Sequence, residues 1–487
     1  MNLKQQAKNS FFWSILIQLS SQMIGFVVSI ILARQLLPKD FGIIGLVTIF
    51  IVIGRVIIDG GMTSSLIRNK EVSQKDYSTV FIINIFVALF FYIITYLSAP
   101  LISNFFKVPE LIKLLRVYSI VFILSSLTLV QSTRLNKNLQ FKTQFKLAFP
   151  SLIISSLISI WMAYNGFGIW SLVYKEIIFA GLASLQIWIY AKWTPSMVFD
   201  YKCFKYHFNY GYKLLLTDLF SKIFSDSYLI VIGKFFSTTQ LGLFTRATTM
   251  VELPNSIIFN SINRVMFPLL ANINEDDERL KSVYRRIIST VSFIVVPVLI
   301  LMAVLAKPLF IFLLTEKWVG AVPYFQIVIL SGMISPLQSY NLNICKVKGR
   351  SDLVLKLSFF EYGLISIGIF CGFWFGIYGL LWSLVFVSIA KVVITSFYAG
   401  ILINYTPKQQ FIDVYSPFLY CTISALPVYF LNVFYFYGFS NNLSILLLGA
   451  SVFVSSYFFM SYLFKNEIFF SGVNAIKSKI LKTNSNL

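Results

Sequence analysis

The chain has 487 residues, of which 57% are hydrophobic and 12% are charged, and its mean hydropathy is +0.78. Soluble domains carry about twice that charged fraction, so the composition excludes a set of ordinary soluble domains and favours a chain that crosses a bilayer. The net charge is +21, which in a soluble protein would suggest nucleic acid. Proteins with many membrane spans collect Lys and Arg in cytoplasmic loops, so we expect no nucleic-acid partner.

Fourteen apolar stretches are long enough to cross the membrane, since a transmembrane helix needs about 20 mostly apolar residues. The sequence therefore predicts an all-α polytopic membrane protein with 14 transmembrane helices. In chain order, the predicted spans are residues 10–33, 41–62, 78–101, 112–133, 145–164, 169–191, 211–233, 240–269, 285–305, 320–344, 353–374, 377–403, 411–434 and 442–464.

The distribution of basic residues predicts the orientation of these spans. With a cytoplasmic N-terminus, the even-numbered connections and both termini carry 26 Lys and Arg residues, and the opposite side carries seven. This bias is typical of cytoplasmic loops, and it predicts that both termini are cytoplasmic. The external loops are short, so no folded domain is expected on the outer side.

Two pairs of similar segments indicate an internal repeat. Residues 31–43 (ILARQLLPKDFGI) are similar to residues 231–243 (VIGKFFSTTQLGL), with Gly42 aligned to Gly242, and the sequence WSLV occurs at 170–173 and at 382–385. Because each half has an even number of spans, the repeats are expected to be parallel.

This repeat predicts five parts of the chain. They are an N-terminal six-helix lobe (1–191), a cytoplasmic connecting loop (192–210), a C-terminal six-helix lobe (211–403), an extra helix pair (404–464) and a basic cytoplasmic tail (465–487).

Polar residues within the spans concentrate in the first two helices of each repeat. Buried ionisable groups are costly in hydrocarbon and usually face a cavity or a partner. Two same-helix pairs, Arg55 with Asp59 and Asp218 with Lys222, are spaced to neutralise each other without any ligand. The polar residues of spans 1, 7 and 8 include Gln18, Ser21, Gln22, Ser29, Asp218, Ser221, Lys222, Ser225, Asp226, Arg246, Thr249, Glu252, Ser256, Asn260 and Arg264. Span 8 is polar enough to indicate contact with water or substrate.

The remaining ionisable residues give weaker signals. The more isolated ones are Arg116, Lys175, Glu176, Glu361 and Lys391. Several of these are expected near the membrane interfaces, where long side chains reach the head groups. His207 falls in the predicted connecting loop and is interpreted as a solvated histidine. No nucleophile elbow, P-loop or dinucleotide motif is present, and the four cysteines contain no C-x-x-C pair. We therefore expect neither an enzyme nor a metal site.

Residues 14–81 resemble the opening of bacterial polysaccharide exporters, whose superfamily also contains O-antigen flippases, lipid II flippases and MATE drug exporters. The resemblance is carried by the LAR-x-L-x-P-x-DFG core from Leu32 to Gly42, the turn Asp59-Gly60-Gly61, and the segments RLNKNLQFKTQF (134–145) and GFGIWSLV (166–173). The nearest branch is similar to colanic-acid and teichuronic-acid exporters.

This resemblance implies two MATE-like six-helix lobes, an extra helix pair, and a cavity lined by helices 1, 2, 7 and 8. It implies transport by alternating access of an undecaprenyl-pyrophosphate-linked oligosaccharide across the bacterial inner membrane, from the cytoplasmic to the periplasmic leaflet. The product would be lipopolysaccharide O-antigen, capsule or exopolysaccharide. We expect a monomer surrounded by membrane lipids, with the polysaccharide polymerase and chain-length machinery as candidate partners.

The substrate implied by the resemblance carries a diphosphate, and Arg and Lys bind diphosphates through charge-assisted hydrogen bonds. Roles can therefore be predicted for the polar residues within the spans. Pyrophosphate contacts are expected from Arg55, Lys222, Arg246 and Arg264. Cavity-lining contacts are expected from Gln18, Gln22, Ser221, Ser225, Thr249, Ser256 and Asn260. No cofactor is expected, and the candidates for H⁺ or Na⁺ coupling are Asp59, Asp218, Asp226 and Glu252.

Two other functions agree less well with the sequence. A MATE-like ion-coupled antiporter of small molecules would share the fold, but the basic residues within the spans favour an anionic substrate over a cationic drug. A membrane-embedded polymerase or ligase would need a sizeable external loop with catalytic residues, and no predicted external loop is long enough.

Overall fold

The structure is a computed structural model that describes residues 3–191, 193–434 and 442–474, and within these ranges it is helical and contains no strand. The chain forms two compact units, Met1–Thr245 and Arg246–Leu487. The helices that begin in the first unit are α1 (Leu3–Gln35), α2 (Pro38–Asp59), α3 (Met62–Arg68), α4 (Gln74–Phe106), α5 (Leu111–Tyr118), α6 (Ile120–Lys137), α7 (Phe141–Tyr164), α8 (Trp170–Ala191), α9 (Tyr201–Ser225), α10 (Ser227–Phe235) and α11 (Thr238–Asn272).

The second unit begins inside α11. Its further helices are α12 (Asp277–Val304), α13 (Ala306–Leu314), a 3₁₀ helix (Glu316–Ala321), α14 (Val322–Val347), α15 (Ser351–Phe373), α16 (Gly376–Leu402), α17 (Pro407–Phe434) and α18 (Asn442–Leu463), and residues 467–474 are also helical. Here α16 packs against both α14 and α15, and α17 packs between α12 and α18. In the first unit, α7 packs against α1 and α8, and α6 packs against α4 and α8.

Twelve helical segments in the described residues are long and apolar enough to cross a membrane, so the chain is a multi-pass membrane protein. The predicted spans 7 and 8 coincide with α9 to α11, which are not among the twelve. Charged residues such as Lys222 and Glu252 lower the hydropathy of these helices. Two predicted spans are interrupted: span 4 breaks at Ser119 between α5 and α6, and span 7 breaks at Asp226 between α9 and α10.

The segment predicted as a connecting loop is attached to the first unit. Trp193 donates a hydrogen bond from Nε1 to Gln74 Oε1 (2.7 Å), and the backbone N–H of Ser196 donates to Ser78 Oγ (2.9 Å). Helix α9 starts at Tyr201, because the Asp200 carboxylate accepts hydrogen bonds from the first free N–H groups of the helix. The last ten residues of the predicted loop, 201–210, are therefore helical and form almost three turns of α9.

The first turns of α2 and α11 cross with their backbones in contact. A Cβ atom on Gly42 would lie 1.9 Å from the carbonyl oxygen of Thr238, and a Cβ atom on Gly242 would lie 1.8 Å from that of Pro38. Only glycine allows this approach, since any side chain would collide with the opposite backbone. The two glycines that the sequence aligns at a shift of 200 residues thus occupy reciprocal positions in one contact.

Candidate functional site

The end of α2 is joined to α9 through three glycines. Gly60 and Gly61 have positive φ angles of 57° and 67°, which residues other than glycine rarely adopt. A Cβ atom on Gly61 would lie 2.4 Å from the carbonyl oxygen of Gly211, and one on Gly211 would lie 2.4 Å from that of Gly60. This contact brings the polar residues of the predicted spans 2 and 7 onto neighbouring helices.

Arg55 and Asp59 do not form the same-helix ion pair that their spacing suggested. The Arg55 Nη2 atom lies 3.8 Å from Glu176 Oε2 on α8, and Glu176 Oε1 lies 3.6 Å from Lys175 Nζ. The Asp59 carboxylate is near the Thr63 hydroxyl and the N–H groups of Gly61 and Thr63, and its Oδ1 atom is buried without a hydrogen-bond partner among the described residues. The Arg55 side chain is 42% exposed and only loosely held, so it is accessible to an anion.

Helix α9 presents an accessible row of polar side chains. Asp218, Ser221, Lys222 and Ser225 are exposed, and no ion pair of Lys222 is present in the described part of the chain. Ser225 donates a hydrogen bond to the carbonyl oxygen of Lys222 (3.0 Å) and to Asp226 Oδ1 (3.2 Å) at the helix end. Asp218 is close enough to Asp59 for the two carboxylates to repel each other. Among the described residues, this side of the unit therefore combines the Lys222 cation, which has no ion pair, with the neighbouring carboxylates of Asp59 and Asp218.

The polar residues of α1 lie elsewhere in the same unit. Helix α1 packs along α7, and Gln18 and Gln22 are both half-buried. The Gln22 Oε1 atom is buried and accepts no hydrogen bond from the described residues. Their assignment to a common cavity with α2 and α9 stays a prediction.

Arg246 is enclosed at the start of the second unit. Only 2% of the residue is exposed, and its guanidinium carbon lies 5.1 Å from the centre of the Trp318 ring, which is itself fully buried. A guanidinium over an indole face is held by a cation–π interaction. Contact with pyrophosphate at Arg246 would require Trp318 to move, so this residue differs from the accessible Arg55 and Lys222. The side chains of Asn260 and Arg264 lie outside the described residues.

An open groove of about 310 Å³ lies between α11 and α14 in the second unit, and most of its lining residues have polar side chains. Its lining residues are Glu252, Asn255, Ser256, Phe259, Ser335, Pro336 and Ser339. Asn255 donates a hydrogen bond from Nδ2 to the carbonyl oxygen of Gly332 (2.8 Å), and its Oδ1 atom is buried without a described partner. Hydroxyl, amide and carboxylate groups beside an aromatic ring are suited to a ligand rich in hydroxyl groups.

The sequence predicted Ser256 as a cavity-lining residue and Glu252 as a candidate for ion coupling, and both line this groove. It did not single out Asn255, Ser335 and Ser339. The available signal was Pro336, which interrupts the hydrogen bonding of α14 between two serines in a span that is otherwise mostly apolar. Thr249, one turn before Glu252, is half-buried and does not line the groove.

Glu361 and Lys391 are not isolated, contrary to their interpretation from the sequence. Lys391 Nζ lies 2.5 Å from Glu361 Oε1, and Gln338 donates a hydrogen bond from Nε2 to Glu361 Oε2 (3.0 Å). The three residues lie near the middle of α14, α15 and α16, where an unpaired charge would be costly. Sequence reasoning missed the pair because the two residues are 30 positions apart and on different helices.

The interpretation of His207 as a solvated loop residue is wrong. The side chain is fully buried, with Nδ1 2.8 Å from Ser65 Oγ and Nε2 3.1 Å from Asp76 Oδ1. Burial lowers the pKa of His207 below its ordinary value of 6.5, and the hydrogen bond to Asp76 offsets only part of this effect. Ser65 is also buried, so this group fastens α9 to α3 and α4 and offers no access to a substrate.

Known proteins are similar to this chain in sequence and in fold. Residues 31–323 match the model of a protein family described as "Polysaccharide biosynthesis protein". The teichuronic acid biosynthesis protein TuaB of Bacillus subtilis is 23% identical over 371 residues, which cover 76% of this chain and 77% of TuaB. The succinoglycan biosynthesis transport protein ExoT of Rhizobium meliloti is 22% identical over 329 residues, which cover 67% of each chain.

Among solved structures, the lipid II flippase MurJ in an inward closed conformation is similar in fold. The TM-score is 0.74 at 18% sequence identity, and the superposition covers 94% of this chain and 99% of MurJ. At this level of identity the likeness concerns the fold, which is preserved over nearly the whole of both chains.

Proposed function

Because the chain belongs to the family of polysaccharide biosynthesis proteins, we propose that it is a flippase for undecaprenyl-pyrophosphate-linked oligosaccharides. It moves these units by alternating access from the cytoplasmic to the outer leaflet of the bacterial inner membrane, for the synthesis of a surface polysaccharide. The observation that carries the proposal is the family match over more than half of the chain, on a fold similar to that of a protein named as a lipid II flippase. The protein is a transporter and not an enzyme.

The chemistry of the substrate explains the cations within the membrane helices. A diphosphate carries about two negative charges and must exchange its water shell for charge-assisted hydrogen bonds to cross the hydrocarbon. Arg55 and Lys222 are accessible and meet this requirement, whereas Arg246 is covered by Trp318. We therefore assign the first pyrophosphate contacts to Arg55 and Lys222, and Arg264 remains a predicted contact.

The groove between α11 and α14 is proposed to bind sugars. Its volume of about 310 Å³ is enough for one or two sugar rings, on the scale of small-ligand pockets. Asn255 and Ser256 offer hydrogen-bonding groups, and the Phe259 ring offers an apolar face for a pyranose. Ion coupling through Asp59 and Asp218 is part of the proposal, because two neighbouring carboxylates favour uptake of a proton or a sodium ion. Asp226 and Glu252 are the further candidates.

The number of membrane spans, their repeat and their orientation are also part of the proposal. Fourteen spans form two parallel six-helix repeats followed by a helix pair, and the reciprocal Gly42 and Gly242 contact is the feature expected of such repeats. Both termini are cytoplasmic, as the positive-inside bias requires. The protein acts as a monomer beside the polymerase that uses its product.

The test is a lipid analysis of a deletion strain. The proposal expects undecaprenyl-pyrophosphate-linked single repeat units to accumulate while surface polymer is lost. These units should be protected from a membrane-impermeant sugar-oxidising probe in intact spheroplasts and should react with it once the membrane is permeabilised. Accumulation on the outer side would indicate a polymerase defect instead. Unchanged glycolipid and polymer in a strain without a second exporter would favour the small-molecule antiporter.

A further inference from the structure

Another cavity, with a polar lining, lies in the Arg246–Leu487 unit and shares no lining residue with the groove between α11 and α14. It has a volume of about 480 Å³ and is formed by the first half of α12, the first turns of α17 and residues 466–471. The lining residues that matter for its chemistry are Arg285, Arg286, Ser289, Asp413, Ser416 and Glu467. We call it the α12–α17 cavity.

Two of the four charges in the α12–α17 cavity neutralise each other. Arg285 Nη2 lies 2.5 Å from Asp413 Oδ1, and the Tyr405 hydroxyl donates a hydrogen bond to the other oxygen of Asp413 (2.6 Å). Arg286 and Glu467 remain, both exposed, and neither has an ion-pair partner within 4 Å in the described residues. Glu467 is close enough to Arg285 to attract it, but Arg285 is bonded directly to Asp413. The cavity thus offers one available cation and one available carboxylate.

Glu467 is held in position by its neighbours. The Asn466 side-chain oxygen accepts hydrogen bonds from the N–H groups of Ile468 (3.0 Å) and Phe469 (3.2 Å), which starts the helical turn that carries Glu467. Phe469 packs against Phe458 of α18, with 5.8 Å between the ring centres. The helical turn that carries the Glu467 carboxylate is therefore packed against α18.

The polarity of the cavity changes along the helices. The sequence predicts that spans 9 and 13 begin at residues 285 and 411, so Arg285, Arg286 and Asp413 lie at the predicted membrane boundary. Phe293 and Pro417, which also line the cavity, lie one to two turns further along the helices and deeper in the hydrocarbon. A phospholipid has the same order, with a charged head group at the surface and apolar chains beneath.

We propose that the α12–α17 cavity binds the head group of phosphatidylethanolamine. The phosphate accepts hydrogen bonds from Arg286 and from the Ser416 hydroxyl group, and the primary ammonium donates to Glu467. One available cation and one available carboxylate match a zwitterion, whereas phosphatidylglycerol would place a net negative head group beside Glu467. Phosphatidylcholine has the right charges, but its quaternary ammonium has no N–H donor. The bound lipid holds the α17–α18 pair and residues 466–471 against α12.

The test uses the purified full-length protein and native mass spectrometry, with phosphatidylethanolamine, phosphatidylglycerol and phosphatidylcholine of identical chains. We expect one retained phosphatidylethanolamine, bound about tenfold more tightly than either other lipid. Arg286→Gln should weaken all three lipids, and Glu467→Gln should remove the preference for phosphatidylethanolamine over phosphatidylglycerol. Arg279→Gln is the matched control, because Arg279 is an exposed cation on the same helix outside the cavity.

Several results would overturn the proposal. Equal affinity for phosphatidylglycerol in the wild-type protein would remove the zwitterion match, and so would an unchanged preference in Glu467→Gln. Stabilisation by inorganic phosphate alone to the same melting temperature would show a simple anion site. If Arg286→Gln folds poorly, Ser416→Ala provides the second variant. None of these outcomes depends on the transported substrate, so the proposed flippase function stands or falls separately.

Discussion

Gly42→Ala is expected to destabilise the protein, because the crossing of α2 and α11 has no room for a methyl group. The added Cβ atom would lie 1.9 Å from the Thr238 carbonyl oxygen, whereas a carbon and an oxygen in ordinary contact are about 3.4 Å apart. The two backbones must separate by roughly 1.5 Å, and packing on both sides of the crossing is lost. Overpacking costs about 1–3 kcal/mol, and we expect the upper end because the obstructing atom belongs to a backbone.

Gly242→Ala tests the same crossing from its other side. The Cβ atom added at position 242 would lie 1.8 Å from the Pro38 carbonyl oxygen, so Gly242→Ala should lower the free energy of unfolding by a similar amount. The double variant should lose clearly less unfolding free energy than the two single variants together. A separation of the α2 and α11 backbones that makes room for one methyl group also makes room for the other. Such coupling is expected for substitutions that share one contact.

The assay is thermal unfolding of the purified full-length protein in detergent. We expect each single variant to melt roughly 3 °C below the wild type. Gly25→Ala is the matched control on α1, because a Cβ atom there meets nothing within 4 Å. It should melt at or slightly above the wild-type temperature, since alanine favours a helix. Equal melting of Gly42→Ala and Gly25→Ala, or an additive double variant, would refute the reasoning.

Three further predictions follow from the described contacts. Lys391→Met leaves the Glu361 carboxylate without its cation in the membrane and should cost about 3 kcal/mol of unfolding free energy, while Lys391→Met with Glu361→Leu should restore most of it. Stability should fall as the pH drops below about 6.5, because the buried neutral His207 must become charged, and His207→Gln should reduce this dependence. Arg55→Gln and Lys222→Gln should each lower glycolipid translocation by about tenfold at normal protein levels.

Each of these predictions has a control. For the ion pair, Glu361→Gln alone should also destabilise, and a double variant no more stable than the singles would contradict the argument. For His207, the sign follows from a folded-state pKa below the unfolded one: the unfolded chain binds more protons, so stability is retained above the unfolded pKa and lost towards acid. For translocation, Lys307→Gln alters an exposed cation outside the predicted spans and should have no effect.

Burial separates the cations that the sequence grouped together. Arg55, Lys222 and Arg246 all lie in polar helices, and hydropathy treats them alike. In the structure Arg55 and Lys222 are accessible, whereas Arg246 lies against Trp318, a residue 72 positions later in the chain. Arg246→Gln should therefore act mainly through stability, and its effect on transport should follow protein level.

The sequence by itself determined the membrane class, the helical composition and the concentration of polar residues in α2, α9 and α11. These features depend on local hydropathy and on spacing within one helix, which are written in consecutive residues. It also indicated the family, through the segment from Leu32 to Gly42 and the turn at Gly60 and Gly61.

Only the tertiary structure decided which polar groups meet. His207 reaches Ser65 and Asp76 across more than 130 positions, Lys391 pairs with Glu361, and Asn255 joins Ser335 in one groove. Apolar helix surfaces are chemically alike, so hydropathy does not specify which helices become neighbours. That choice depends on close backbone contacts such as Gly42 with Thr238 and on buried hydrogen bonds, and both require the complete three-dimensional packing.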